Sequence, residues 1–400
     1  MKEVYIIDAI RTPIGKYKGS LKNVRTDDLA AIVLKKLFER NRNIPLEQVD
    51  DIIFGNANGA GEDNRNVSRM ATLLAGLPQE ISANTVNRLC GSGLDAVSIG
   101  ARAILSGEAH IVVAGGVENM TRAPFVMAKP DTDFPRGDMK LYDTTIGWRF
   151  INPKLDEMYG TDVMPKTAET VAQRLNISRE EQDTFALKSQ QKAQQAIQNK
   201  KFEQEIIPIE LKDKKGNITL FDQDEHPRFN LTMDNLQNLT PLFAGGTVTA
   251  GNASGVNDGA SALILMSKEK MEQLGIKPLV KYIASATAGL EPAVMGLGPI
   301  YSTNKLLRNT NLTIDDFDLF ELNEAFASQS IACIKQLNID EEKVNVNGGA
   351  IALGHPLGAS GVRILTTLIY EMKRRGVKKG LASMCIGVGQ GISLAIENID

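Results

Sequence analysis

The stretch VNRLCGSG at residues 86–93 decides the fold. Four apolar residues follow it at helical spacing: Leu94, Val97, Ala101 and Ile104. Gly107 then ends the predicted helix, and the apolar run at residues 111–114 predicts a buried strand that leads into two glycines. The pattern indicates a unit of strand, glycine-rich loop, helix and strand.

A second copy of this unit lies near the C-terminus. The stretches VNVNGG at residues 344–349 and HPLG at residues 355–358 precede another set of apolar residues at helical spacing: Val362, Leu365, Ile369 and Met372. Gly376 ends that helix, and residues 381–385 predict the following strand. Because the two units share one order, we expect a duplicated α/β fold in which a pseudo-twofold axis brings the matching loops to one site.

The sequence pattern changes between the two copies of the unit. Five prolines interrupt an irregular stretch at residues 124–165, and a glutamine-rich segment at residues 179–201 predicts a solvated helix. We therefore predict an inserted loop domain at 121–245. The N-terminal half then comprises residues 1–120 plus 246–275, and the C-terminal half comprises residues 276–400.

Composition excludes several classes of protein. With 400 residues, 42% hydrophobic and 23% charged, the chain is neither disordered nor a disulfide scaffold. A formal net charge of -3 gives no electrostatic footprint for nucleic acid. The sequence contains no run of about 20 apolar residues of the kind that spans a membrane. Three cysteines do not make a disulfide framework and favour a reducing compartment, so we expect a cytoplasmic protein.

Cys90 stands at the start of the first repeated helix, beside Gly91 and Gly93. Unpaired N–H groups and the helix dipole favour a thiolate at such a position, which predicts a lowered pKa and a nucleophile. Glycines on both sides would let a substrate approach the backbone. The alternative is a buried cysteine that acts as a small hydrophobic residue.

His355 and Cys385 are the corresponding candidates of the second half. His355 lies in a glycine-rich turn before a helix, where the alternative is a structural histidine bonded to nearby backbone. Cys385 ends a strand before alternating glycines, a position suited to acid/base chemistry on carbon. Cys333 falls at an apolar helical position and is expected in the core, and His226 is expected near the surface or a ligand's edge.

The sequence contains no complete motif for a nucleotide cofactor or for zinc. The run at residues 245–255 consists of small residues that could cradle a ligand through their backbone, but it lacks the ending of a P-loop. The stretch around Cys90 lacks the third glycine and the acidic partner of a dinucleotide site. No C-x₂-C or H-x₃-H pair predicts zinc. We expect no metal and no resident cofactor.

Four motifs together resemble the thiolase family. Residues 87–93 are similar to its nucleophilic cysteine motif, residues 323–326 to its Asn motif, residues 354–356 to its His motif and residues 385–387 to its second cysteine motif. They occur in the family order along nearly the whole chain. The resemblance implies the thiolase fold: two five-stranded α/β halves with a loop domain that binds coenzyme A, which is a substrate and not a cofactor.

The resemblance also implies roles for residues. Cys90 would attack a 3-oxoacyl-CoA, His355 would take its proton, and Cys385 would protonate the departing acetyl-CoA enolate. One oxyanion site would combine His355 with a water held by Asn323, and the other the N–H groups of Cys90 and Gly387. The positions that match the family's coenzyme A site are Arg228, Met164, Ala250, Ala253 and Ser254.

The activity implied is that of an acetyl-CoA C-acyltransferase or acetyltransferase of fatty acid metabolism: thiolytic cleavage, or the reverse condensation to acetoacetyl-CoA. Val163 stands where biosynthetic members usually carry histidine. Residues 143–150, 159–162 and 385–391 look more like the 3-oxoadipyl-CoA thiolase subgroup. A terminal carboxylate would need a cation. The candidates are Arg65, Arg122 and Arg149.

The resemblance also implies an oligomeric state. A homotetramer is expected, with a dimer as the alternative, because the stretch at residues 121–140 matches a region that joins dimers in many thiolases.

Two other functions compete with that of a thiolase. They are a ketosynthase-type condensing enzyme and a silent acyl-CoA-binding protein with this fold. Cys385 argues against the first, since ketosynthases use a Cys-His-His set. The intact set of four motifs argues against the second.

Overall fold

A computed structural model describes residues 2–399. The helices are α1 (Thr26–Arg40), α2 (Val67–Leu74), α3 (Ser92–Ser106), α4 (Pro153–Tyr159), α5 (Met164–Arg174), α6 (Arg179–Gln198), α7 (Met233–Gln237), α8 (Lys268–Leu274), α9 (Gly298–Thr310), α10 (Ala327–Leu337), α11 (Ala350–Leu353) and α12 (Leu357–Arg375). The strands are β1 (Val4–Arg11), β2 (Gly15–Lys16), β3 (Asp51–Gly55), β4 (Ser82–Val86), β5 (Ile111–Asn119), β6 (Phe125–Val126), β7 (Tyr142–Asp143), β8 (Ile209–Lys212), β9 (Ile218–Phe221), β10 (Asn257–Ser267), β11 (Val280–Gly289), β12 (Leu319–Leu322), β13 (Lys379–Ile386) and β14 (Gln390–Asn398).

The two halves share one continuous sheet. Its order is β12-β13-β14-β11-β1-β10-β5-β3-β4, and β2 pairs with β10 at one side. The halves meet where β1 pairs with β11, from Val4 opposite Tyr282 to Ile6 opposite Val280. β3 runs parallel to both β4 and β5, and β12 runs parallel to β13. The predicted α/β duplication is confirmed at the level of strand order and direction.

The second half does not have the five full strands that the resemblance implies. In place of a strand equivalent to β4, the structure has a single bridge between Phe320 and Val344. The reason lies in Asn345, which has a positive φ of 45° and turns the backbone away. Its side chain accepts from the N–H of Leu322 and donates to the carbonyl of the same residue, both at 2.8 Å, and so replaces the missing ladder.

Two aspartates hold equivalent positions in the two copies. The Asp50 carboxylate, just before β3, accepts the N–H groups of His110 and Ile111 where β5 begins. The Asp318 carboxylate, just before β12, accepts those of Lys378 and Lys379 where β13 begins. The repeat predicted from the sequence therefore extends to individual hydrogen bonds.

The repeated helices α3 and α12 pack against each other through glycines. A Cβ on Gly93 would lie 2.6 Å from the carbonyl oxygen of Gly358, and one on Gly361 would lie 2.2 Å from the nitrogen of Leu94. These distances exclude any side chain at either position without a shift of backbone. The close approach sets the loops that precede the two helices, with Cys90 and His355, side by side.

The core around these helices is apolar. The residues predicted at helical spacing in both copies are fully buried in one cluster: Leu94, Val97, Ala101, Ile104, Val362, Leu365, Ile369 and Met372. Cys333 is also fully buried, as predicted. Within residues 2–399, no helix combines the length and the apolar character needed to cross a bilayer.

The segment between the halves carries α4 to α7 and two short hairpins, β6-β7 and β8-β9. Its boundaries at 121 and 245 stay a prediction. The predicted solvated helix, α6, has one buried face, so the prediction is wrong for that face. The reason is that its polar residues bond to the C-terminal half: Ser189 donates to Glu324, and Gln190 donates to the carbonyl of Ile351.

Candidate active site

A cavity of about 500 Å³ lies where the two halves meet the inserted segment. The sequence-predicted residues that line it are Cys90, Met164, Arg228, Ala250, Ala253, Ser254, His355 and Cys385. Asn323 and Gly387 do not line the cavity but contact His355 and face Cys90, respectively. Residues separated by almost 300 positions are thus brought together, which makes this cavity the candidate active site.

Cys90 follows Leu89, whose φ of 47° is unusual for a residue with a branched side chain. The N–H groups of Cys90 itself and of Gly387 face its sulfur and lower the pKa of the thiol, but burial outweighs them and raises that pKa to about 11. The predicted lowered pKa is therefore wrong. Desolvation by the surrounding protein exceeds the effect of these two N–H groups, so Cys90 rests as a thiol.

Two hydrogen-bond partners hold His355 in place. Its backbone N–H donates to Asn257 Oδ1 at 3.0 Å, and Ser360 Oγ lies 2.6 Å from its Nδ1. Burial, together with the charge of Arg363, lowers the pKa of His355 to about 3. The imidazole is thus neutral at pH 7, the form in which it can accept a proton.

Asn323 directly follows the strand β12, and its side chain reaches the same imidazole. Its Nδ2 lies 3.4 Å from Nε2 and 3.5 Å from Nδ1 of His355. Its Oδ1 is buried and has no hydrogen-bond partner among residues 2–399. A buried amide oxygen without a partner is suited to accept a hydrogen bond from water or a ligand.

Cys385 lies near the end of β13 and is 2% exposed. Burial raises the pKa of its thiol well above the ordinary value, and a charge on Cys90 would raise it further. Both thiols are therefore protonated at neutral pH. The hairpin that follows contains Val388 at a φ of 64° and Gly389 at 81°, and this turn presents the N–H of Gly387 to Cys90.

The predicted binding residues come from three separate elements. Met164 is the first residue of α5, Arg228 follows the hairpin β8-β9, and residues 250–254 belong to the run of small residues. The N–H of Ser254 donates to the carbonyl of Ala325 at 3.0 Å, which fixes this run against the Asn motif. The run therefore forms part of the cavity wall.

Sequence reasoning missed several lining residues. Met120, Leu242 and Met295 line the cavity from distant parts of the chain, and no local pattern marks them. His226 also lines it, and its expected position near a ligand's edge stays a prediction. Burial and the neighbouring Arg228 lower the pKa of His226 to about 4.

The three candidate cations have different surroundings. Arg122 forms an ion pair with Glu62, with Nε 2.7 Å from the carboxylate. Arg65 is exposed on a loop. Arg149 is half-buried, donates to the carbonyl of Asn58 at 3.3 Å, and has no carboxylate partner among residues 2–399.

Comparison with known proteins decides the family. The model for the thiolase N-terminal domain matches residues 4–269, and that for the thiolase C-terminal domain matches residues 276–398. The chain belongs to the thiolase family. This thiolase is an acyltransferase of fatty acid and acyl-CoA metabolism, which catalyses CoA-dependent thiolytic cleavage of a 3-oxoacyl-CoA or the reverse condensation. The matches do not favour the ketosynthase alternative.

Two relatives and a solved structure illustrate the likeness. The thiolase is 54% identical to the beta-ketoadipyl-CoA thiolase of Acinetobacter baylyi over 402 residues, 100% of both chains. It is 49% identical to the acetyl-CoA acetyltransferase of Syntrophomonas wolfei over 99% of both chains. The crystal structure of the Bacillus anthracis acetyl-CoA acetyltransferase superposes with a TM-score of 0.93 at 39% identity, covering 100% of this chain and 99% of that one. The predicted fold and subgroup resemblance are confirmed.

Proposed function

We propose that this thiolase cleaves 3-oxoadipyl-CoA, or a similar 3-oxoacyl-CoA with a terminal carboxylate, through an acyl intermediate on Cys90. The observation that carries the proposal is the meeting of Cys90, His355 and Cys385 at one cavity. The identity to beta-ketoadipyl-CoA thiolases over the full length supports the choice of substrate. Coenzyme A is then a substrate, and the reaction needs no resident cofactor or metal.

In the first half-reaction, neutral His355 takes the proton of the Cys90 thiol, and the sulfur attacks the 3-oxo carbonyl. The oxygen of the tetrahedral intermediate faces the N–H groups of Cys90 and Gly387. Loss of one such donor typically costs about 2.7–4 kcal/mol of barrier. Cleavage of the carbon–carbon bond releases the acetyl-CoA enolate, whose oxygen is bound by His355 and a water that donates to Asn323 Oδ1.

Cys385 then gives its proton to the enolate carbon and becomes a thiolate. In the second half-reaction, the thiol of the incoming coenzyme A returns a proton to Cys385 and attacks the acyl-Cys90 thioester. Cys90 leaves as a thiolate and recovers its proton from His355. Each thiol and the imidazole thus end in the state in which they began.

Coenzyme A would lie along the wall formed by Ala250, Ala253, Ser254 and Met164, with Arg228 at its nucleotide end. Alanine and serine leave room for the pantetheine chain, and the exposed guanidinium of Arg228 offers charge to a phosphate. These assignments rest on the position of all five residues at the cavity.

Arg149 is proposed as the partner of the substrate's terminal carboxylate. It follows Ile146 and Gly147, which line the cavity. Its guanidinium makes one hydrogen bond, to the carbonyl of Asn58, and so retains N–H donors for a carboxylate. Arg122, by contrast, is neutralised by Glu62. Val163 at the cavity adds an apolar wall where biosynthetic members usually carry histidine.

The test compares kcat/KM for 3-oxoadipyl-CoA with that for 3-oxohexanoyl-CoA, which has the same chain length without the carboxylate. Acetoacetyl-CoA and a long-chain 3-oxoacyl-CoA complete the panel. We expect the highest value for 3-oxoadipyl-CoA, and we expect Arg149→Gln to lower that value alone, by about tenfold or more for a lost charged hydrogen bond. Equal values for the two six-carbon substrates would exclude a carboxylate site.

We further propose a homotetramer in the cytoplasm. Large apolar side chains are exposed within residues 125–159, including Phe125 at 67%, Phe134 at 88% and Met158 at 67%. Such a patch supports burial against another copy. Three free cysteines support a reducing compartment.

A further inference from the structure

A fully buried carboxylate that the mechanism does not use lies beside the site. Glu118, near the end of β5, is 2% exposed. Its Oε2 accepts the N–H groups of Ala57 and Gly358, both at 2.9 Å. Its Oε1 accepts the N–H of Asn58 at 3.1 Å. One side chain thus joins the loop after β3, in the N-terminal half, to the start of α12, in the C-terminal half.

Both ends of this connection lead to a residue of the site. Gly358 is the second residue of α12 and lies three residues after His355. On the other side, the carbonyl of Ala57 accepts from Asn87 Nδ2 at 2.9 Å. Asn87 Oδ1 in turn accepts the N–H of Leu89, also at 2.9 Å, directly before Cys90.

The backbone at this junction has no space for adjustment. A Cβ on Gly358 would lie 2.7 Å from the carbonyl oxygen of Gly55 and 2.8 Å from Cα of Asn56. Since the backbone around Gly358 is already in contact with that of Gly55 and Asn56, a change in the hydrogen bonds at Glu118 must displace one of the two loops.

We propose that Glu118 is a positioning residue that fixes the Cys90 loop relative to the His355 loop. Its side chain does not line the cavity, and it acts through the backbone of the two loops. The inference rests on the proposed roles of Cys90 and His355.

The chemistry of the carboxylate fits this role. All of its close partners are N–H donors, and the start of the 19-residue helix α12 adds the positive end of a helix dipole. Burial raises the pKa of Glu118 to about 7, while the N–H groups of Ala57 and Gly358 oppose that rise. An amide in its place would direct its own N–H groups at one set of these donors.

Glu118→Gln tests the proposal, with Asp318→Asn as the matched control. Asp318 also accepts two backbone N–H groups, both at 2.9 Å, but at the start of β13 and away from the cavity. We expect Glu118→Gln to lower kcat by about 10- to 100-fold with KM nearly unchanged, because a displacement of about 1 Å can cost 100-fold in rate. The rate of Cys90 alkylation by iodoacetamide should fall with it. Asp318→Asn should lower the melting temperature and leave both rates unchanged.

A second variant covers the case in which Glu118→Gln does not fold. Asn87 is exposed, so Asn87→Ala removes the next link of the connection without a buried cavity. We expect a lower kcat at unchanged KM, and a double variant less impaired than the product of the two single effects. A kcat in folded Glu118→Gln or Asn87→Ala equal to that of the parent would overturn the inference. If wild-type enzyme forms no acyl-Cys90, the proposed function has failed instead, which separates the two results.

Discussion

Ser360 Oγ lies 2.6 Å from Nδ1 of His355. Ser360 is fully buried in the first turn of α12, so the hydroxyl is held by the helix itself. A proton on Nδ1 that donates to this oxygen leaves Nε2 as the basic nitrogen, which is the tautomer the proposed first step needs.

Ser360→Ala should therefore slow the reaction without preventing binding. The imidazole loses the partner that fixes its orientation and tautomer, so we expect kcat to fall about tenfold while KM changes little. Steady-state kinetics with 3-oxoadipyl-CoA checks the expectation. A kcat equal to the parent's would show that another group orients His355.

Cys385→Ser should separate the two functions of the site. A serine hydroxyl is a much weaker acid than a thiol, so proton transfer to and from carbon should slow strongly. Acylation of Cys90 by acetyl-CoA should persist. The measurement is exchange of the methyl protons of acetyl-CoA with deuterated water, followed by NMR, alongside mass spectrometry of the acyl-enzyme. Exchange at the parent's rate would place the carbon acid elsewhere.

The pH dependence of stability should report on His226. Burial and Arg228 lower its pKa to about 4, below the value of 6.5 for an unperturbed histidine. Between these two values the unfolded chain binds more protons than the folded one, so this residue removes stability as the pH falls from 6.5 to 4. His226→Gln should lose that part of the acid sensitivity.

Urea unfolding at pH 7, 5.5 and 4.5 tests this expectation. The free energy of unfolding of His226→Gln should improve relative to the parent as the pH falls. A difference between the two proteins that is constant over this range would contradict the lowered pKa.

Val388 should be replaceable with a gain in stability. Its φ of 64° places a β-branched residue in the left-handed region, which costs about 1–2 kcal/mol for residues other than glycine. The side chain is 37% exposed, so little apolar burial is lost. Val388→Asn should raise the free energy of unfolding by about 1 kcal/mol, since asparagine tolerates this conformation. A lower melting temperature would show that the valine side chain makes a contact that outweighs the strain.

The sequence predicted the duplicated fold and its central site because both copies carry the same local signals. Cys90 and His355 each precede a helix with clear apolar spacing. Because the elements follow the same order in both copies, the sequence predicted that these two residues meet at one site. The state of Cys90 was not predictable in this way. Its pKa is raised by burial, and the apolar cluster that Cys90 packs against includes Ile386 and Ile392 from far along the chain, which no local pattern describes.

Other differences have the same origin. The buried face of α6 depends on partners such as Glu324, which lies 135 positions after Ser189 in the C-terminal half. The lost strand of the second half depends on one side chain, Asn345, that bonds to the backbone of Leu322. Met295 and Leu242 reach the cavity from elements without a motif. Tertiary contacts of this kind leave no periodic signal in the chain.

The most direct test of the account is to identify the acylated residue. The enzyme is incubated with 3-oxoadipyl-CoA without free coenzyme A, quenched in acid, digested and examined by mass spectrometry, with Cys90→Ser as the control. We predict an acyl adduct on Cys90 in the parent and neither adduct nor turnover in Cys90→Ser. An adduct on Cys385, or turnover by Cys90→Ser, would contradict the central claim.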